Sequence, residues 1–298
     1  VAATESTQHD GTTQHDGTTQ HDAATLHDGA SIDFEVHGDG PALLLPVNPI
    51  APLEGPATEQ MRAWGADPAL GHTLVEDFSR RFRVIAFDYE GHLQAHPKPG
   101  TLTPDNVAAD FLAVADAANA ETFAYYGYSW LGMIGLQLAI RTNRLTALAM
   151  GGFPPLDGPY AAMLQVTEAT HEMAGAPTTG AEVEVGDWDS TEVAMSKEQT
   201  QQYATLYRAL ATFDDQTVQD RITCPKLCIV GSADNIQYGD RWNNAYVAIG
   251  SAVTTNRTNL ETLGWTVQIL DNLDHMQAMQ AAQILPVVEP WLAAQLTS

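Results

Sequence analysis

Thr122-Phe-Ala-Tyr-Tyr126 runs without a break into Gly127-Tyr128-Ser129-Trp130-Leu131-Gly132, and then into Met133-Ile-Gly-Leu-Gln-Leu-Ala-Ile140. The first piece is aromatic and short, as a buried strand is. The third places Ile134, Leu138 and Ile140 where an apolar helix needs them. A strand, a sharp turn and a helix in that order force the serine into a strained conformation. Its Oγ then stands at the carboxyl edge of a sheet, and a glycine two positions earlier allows the chain to cross closely. Serines also cap helix amino termini, so the Gly-x-Ser triplet alone decides nothing. Its position between strand and helix decides it.

The rest of the chain alternates in the same way. Pro41-Ala-Leu-Leu-Leu-Pro46 and Phe82-Arg-Val-Ile-Ala-Phe-Asp88 are apolar runs bounded by turn residues, as expected of strands covered on both faces of a parallel sheet, with a helix-length segment between them. Thr103-Pro-Asp105 opens a helix whose Val107, Phe111, Val114 and Ala118 follow the 3.6-residue period. Further strands are expected at Leu145 to Met150, Lys226 to Val230 and Thr266 to Leu270, with a closing helix from about Gln277. The fold class is α/β, a mostly parallel sheet flanked by helices. Residues 153–213 break the rhythm with two helical patterns, Tyr160 to Met173 and Ser196 to Ala211, and no strand. This is the composition of a helical cap over the carboxyl ends of the strands. The expected organisation is a polar tail over 1–24, a core made of 25–152 and 214–298, and a cap over 153–213.

The tail repeats His-Asp-Gly-Thr-Thr-Gln, so that His9, His15 and His21 are evenly spaced. Nothing apolar recurs to anchor it, and it reads as a solvated, disordered duplication rather than a metal tract. From Thr25, Asp28-Gly29 sits between alternating residues, with Ile32, Phe34 and Val36 on one face, which predicts a β-hairpin. The 298 residues carry 13 basic and 37 acidic side chains, a formal charge of −24. Such a field repels phosphate backbones and anionic headgroups, so neither nucleic acid nor a membrane surface is an expected partner. Cys224 and Cys228 on one extended segment would hold their Cα atoms roughly 13 Å apart, too far for a disulfide. Two thiols also fail to make a zinc site, and no metal or cofactor is expected. No run approaches the ~20 apolar residues of a membrane helix, and no basic-then-apolar leader opens the chain, so the expected setting is cytoplasmic.

A serine becomes a useful nucleophile when a base takes its proton and a carboxylate orients that base. Cys228-Ile-Val-Gly-Ser-Ala-Asp234 places a carboxylate just past a buried strand, and Asn272-Leu-Asp-His275 places an imidazole just past the last one. Ser129, Asp234 and His275 are therefore the expected triad, with Asp157 as the substitute acid.

In these motifs, from about Leu26 to the carboxyl end, the chain resembles the α/β-hydrolase superfamily. It departs from the usual pattern in two places. Leu131 stands where a glycine is common, and Pro46-Val47 stands where His-Gly is common. The resemblance implies an oxyanion hole formed by main-chain N–H groups after the nucleophile and in the loop following the third strand, here Trp130 and Asn48. Asn48-Pro49 and Ser129-Trp130 also look like haloalkane dehalogenases, in which these two side chains hold the halide. With serine as nucleophile, the implied reaction is hydrolysis of a carboxylic ester or lactone through an acyl-enzyme. Tyr128 and the cap residues Tyr160, Met163, Trp188 and Tyr203 are the expected contacts for an apolar part of that small-molecule substrate. A hydroxynitrile-lyase-like reaction and a receptor with a vestigial triad are the alternatives.

Overall fold

The computed structural model describes residues 19–63, 65–176 and 193–296. Ten strands and ten α-helices alternate along them. β1 (Gln20–Thr25), β2 (Ser31–His37) and β3 (Ala42–Leu45) are followed by α1 (Pro56–Ala63), α2 (Leu70–Phe78), β4 (Arg83–Ala86), α3 (Tyr89–Ala95) and α4 (Pro104–Ala117). Then come β5 (Phe123–Tyr128), α5 (Trp130–Ala139), β6 (Leu145–Gly151), α6 (Tyr160–Met173), α7 (Lys197–Ala209) and β7 (Lys226–Gly231). The chain ends with β8 (Asn235–Gln237), β9 (Tyr246–Ala248), α8 (Gly250–Thr262), β10 (Trp265–Leu270), α9 (His275–Ala278) and α10 (Ala281–Leu296). Eight strands form one sheet in the order β1-β2-β4-β3-β5-β6-β7-β10. It is antiparallel at the β1–β2 and β2–β4 pairings and parallel from β4 onward.

The parallel strands read as continuous apolar runs because both faces are covered, and alternate residues feed alternate cores. Leu44, Ile85 and Tyr125 pack on one side with α5, which is apolar apart from Gln137, while Leu43, Val84 and Tyr126 pack on the other with α2 and α10. α4 starts as its sequence demands: Thr103 Oγ1 accepts from the Asn106 N–H, and Pro104 takes the first helical position.

Several expectations shift. The hairpin forms, but β1 begins at Gln20, inside the last unit of the repeat and ahead of the expected start at Thr25. Its turn is pinned to the core, where buried Asp110 accepts from the His27 N–H at 2.7 Å and the Tyr89 hydroxyl at 2.7 Å. The segment between β3 and β4 holds two helices rather than one. Cys224 lies just ahead of β7 rather than within it, and both cysteines are free. The closing helix is divided into α9 and α10. No described helix is long and apolar enough to cross a membrane.

Candidate active site

Ser129 is the N-cap of α5 with φ 58° and ψ −131°, a region that non-glycine residues enter only under constraint, at roughly 1–3 kcal/mol. Two glycines make the turn possible. A Cβ on Gly127 would lie 2.5 Å from the Leu131 carbonyl oxygen, and one on Gly132 would lie 2.6 Å from the Gly151 oxygen on β6. The close approach is thus made by Gly132, one position later than usual. Leu131 sends its side chain into the core, and its carbonyl accepts from the Tyr125 hydroxyl at 2.7 Å. The Ser129 N–H donates to the Gly151 carbonyl at 2.8 Å, tying the elbow to the neighbouring strand.

Asp234 and His275 are 41 residues apart in sequence but follow adjacent parallel strands, with Gly231 of β7 in register with Leu270 of β10. The two loops beyond are joined by main-chain bonds from the Ser232 N–H to the Leu270 carbonyl (2.8 Å) and from the Ala233 N–H to the Leu273 carbonyl (3.1 Å). His275 Nδ1 consequently lies 3.0 and 2.9 Å from the two carboxylate oxygens of fully buried Asp234. A capping box between Asp274 and Gln277 sets the entry to α9, and the Tyr128 hydroxyl donates to the His275 carbonyl at 2.9 Å. Asp157 is committed elsewhere, accepting from Gln216 and Asn256 at 2.8 Å each.

Ser129 and His275 border one cavity of about 390 Å³, roofed by α6 and α7 and otherwise mostly apolar and aromatic. Met163, Tyr203 and Trp130 line it as expected. Tyr128 and Tyr160 do not: Tyr128 supports His275 from beside the cavity, and Tyr160 packs between Phe153 and Phe213. Trp188 lies outside the described residues. Asn48 is exposed and away from the lining. Its Oδ1 accepts from the Ile50 N–H at 2.9 Å, and its main chain packs over Gly71 of α2. The sequence reading missed the short β8–β9 sheet, which supplies Ile236 and Val247 to the wall, and it missed Glu90 at the start of α3. The Trp130 indole N–H donates to Glu90 Oε1 at 2.6 Å. Burial pushes the Glu90 carboxyl above its ordinary pKa, Asp88 adds to the rise, and the indole hydrogen bond opposes it.

In amino-acid sequence the chain is similar to the 3-oxoadipate enol-lactonase 1 of Acinetobacter baylyi, at 26% identity over 209 residues that cover 66% of this chain and 77% of that one. Among solved structures it superposes on a thermophilic esterase from Thermogutta terrifontis with a TM-score of 0.60 at 17% identity, covering 93% of this chain and 99% of that one. The enol-lactonase from Burkholderia xenovorans gives 0.56 at 18% identity, covering 93% and 100%. At such identities these two likenesses speak for the fold. The family described as alpha/beta hydrolase fold matches residues 63–238, more than half of the sequence, and the chain belongs to that family.

Proposed function

We propose that this protein is a serine hydrolase that cleaves a carboxylic ester or lactone through an acyl-enzyme on Ser129. One conjunction carries the reading. A serine held at positive φ and an imidazole bonded to a buried carboxylate stand on the wall of the same cavity. With Nδ1 engaged by Asp234, His275 Nε2 is the nitrogen left to take the Ser129 proton as Oγ attacks the carbonyl carbon. The developing oxyanion faces the N–H of Trp130, a first-turn amide of α5 that lacks an intrahelical partner. His275 then returns the proton to the departing alkoxide and activates the water that releases the acid. The named activities of the enol-lactonase and esterase relatives support this substrate class.

Haloalkane displacement is excluded from the proposal on two grounds. A serine would be left as an ether, which offers no carbonyl to water. The indole N–H that would meet a halide is already held by a carboxylate. The test is labelling by a fluorophosphonate together with turnover of p-nitrophenyl esters and simple lactones. Native protein labels on Ser129 and turns over, and Ser129→Ala protein does neither. Absence of labelling in the native protein overturns the reading.

A further inference from the structure

Glu90 takes no part in the relay just described, yet it faces the cavity in which that relay works. Among the described lining residues it is the single carboxylate, and none of them is lysine or arginine. Glu90 is solvent-exposed as a residue, its carboxyl opens onto the cavity, and the protein packed around it holds its pKa above the ordinary value. The hydrogen bond from Trp130 is its one partner among the described residues. A carboxylate with part of its hydration displaced by protein and no cation beside it gains from a cationic partner, because a single indole donor replaces little of what is lost. The aromatic rings of Trp130, Tyr203, Tyr207 and Tyr238 border the same space, and such faces attract an ammonium group brought among them. The net charge of −24 adds a field that concentrates cations at the cavity mouth.

We propose that Glu90 determines specificity in this cavity, and that the acyl compound bound there carries a protonated amine or quaternary ammonium group paired with the Glu90 carboxylate. The identification of that compound as a hydrolysed ester or lactone rests on the reading of Ser129 above. Its charge does not. A substrate with a free carboxylate, such as the lactone of a dicarboxylic acid for which the Acinetobacter relative is named, would meet a like charge at Glu90 and no compensating base among the described lining residues.

The test separates binding from chemistry. Butyrylcholine and 3,3-dimethylbutyl butyrate have the same shape and differ in one positive charge. Their affinities for folded Ser129→Ala protein, measured by calorimetry, report the charge preference without turnover. The cation should bind about tenfold tighter or more, the range of a charge-assisted pair over a neutral contact. Glu90→Gln in the same background, which keeps an acceptor for the Trp130 indole, should bring the ratio close to one. Equal affinities in Ser129→Ala protein overturn the proposal whatever the second variant does. A preference that survives Glu90→Gln also overturns it and assigns the selectivity to the overall field. Native protein that binds the cation preferentially but is not labelled by a fluorophosphonate and turns over no ester leaves the assignment of Glu90 standing and defeats the hydrolase reading.

Discussion

Ser129, Asp234 and His275 stand beyond the carboxyl ends of β5, β7 and β10, whereas Glu90, Met163 and Tyr203 reach the same cavity from α3, α6 and α7. The first group is held by main chain. Strand register and the bonds between neighbouring loops place each Cα, and the side chains have short distances to cover. The second group is held by side chains. Gln202 of α7 accepts from the Lys98 N–H at 3.0 Å and donates to the Leu93 carbonyl at 3.2 Å, and Gln199 and Thr205 donate to the carbonyls of Gln94 and Pro99. A floor set by backbone geometry is suited to chemistry that tolerates little displacement. A roof set by replaceable side chains is where one fold can alter which molecule it accepts.

Breaking the floor should therefore abolish turnover without unfolding the protein. Ser129→Ala removes the nucleophile and should reduce kcat on a p-nitrophenyl ester by roughly 10⁶-fold, as nucleophile removal does in serine proteases. The thermal midpoint should change little. Residual activity within tenfold of native, in protein free of native contamination, would show that another group performs the attack.

Asp234→Asn should come next, with a loss of about 10⁴ in kcat, because an amide beside Nδ1 favours the wrong imidazole tautomer and no longer stabilises the imidazolium. KM should move far less. A loss under tenfold would mean that Asp234 does not orient the base. Asp157 offers no rescue, since Gln216 and Asn256 hold it where it is.

A roof lesion should act differently. Gln202 is fully buried, and Gln202→Ala strands the Lys98 N–H and the Leu93 carbonyl without a partner, at about 1–3 kcal/mol by urea unfolding. As α7 loosens, KM should rise while kcat stays within a few-fold of native. An equal fall in kcat and kcat/KM would show that the roof also positions the reacting atoms.

The same division governs what the sequence discloses. The strands flanking the elbow are legible because burial on both faces makes them unbroken apolar runs, and the order of Ser129, Asp234 and His275 follows from where those runs end. β1 is not legible, since Ala24 alone of its six residues is buried and the rest read as polar repeat. β8 and β9 are three residues each, too short for any period to register. Asn48 is misleading for a local reason: Asn-Pro favours a side-chain-capped turn, and its carboxamide oxygen is spent on Ile50. Glu90 left a usable signal. It lies just past the carboxyl end of the Phe82-to-Asp88 run, the edge at which such sheets bind ligands. Attention to the triad order alone passes over it, because no chemistry in the relay requires a third carboxylate.

The smallest expected effect is a gain. Because burial raises the pKa of the Glu90 carboxyl in the folded protein, the folded state holds that proton more tightly than the unfolded chain does. Ionisation of Glu90 therefore favours unfolding. The penalty is absent at low pH, where both states are protonated, sets in as pH rises through the unfolded value of roughly 4.3, and is complete above the folded value. Glu90→Gln removes the charge and keeps an acceptor for the Trp130 indole. The variant should thus melt higher than native near pH 7, and its advantage should shrink as pH falls below 4. Exposure of the carboxyl to the cavity keeps the effect modest. Melting curves from pH 3.5 to 7.5 decide it: an advantage that grows with pH marks Glu90 as a charge retained at a cost to stability, as functional groups commonly are. A pH-independent difference would mean that the carboxyl is fully solvated, leaving the cavity wall with no stored electrostatic preference to distinguish it from the neutral side chains around it.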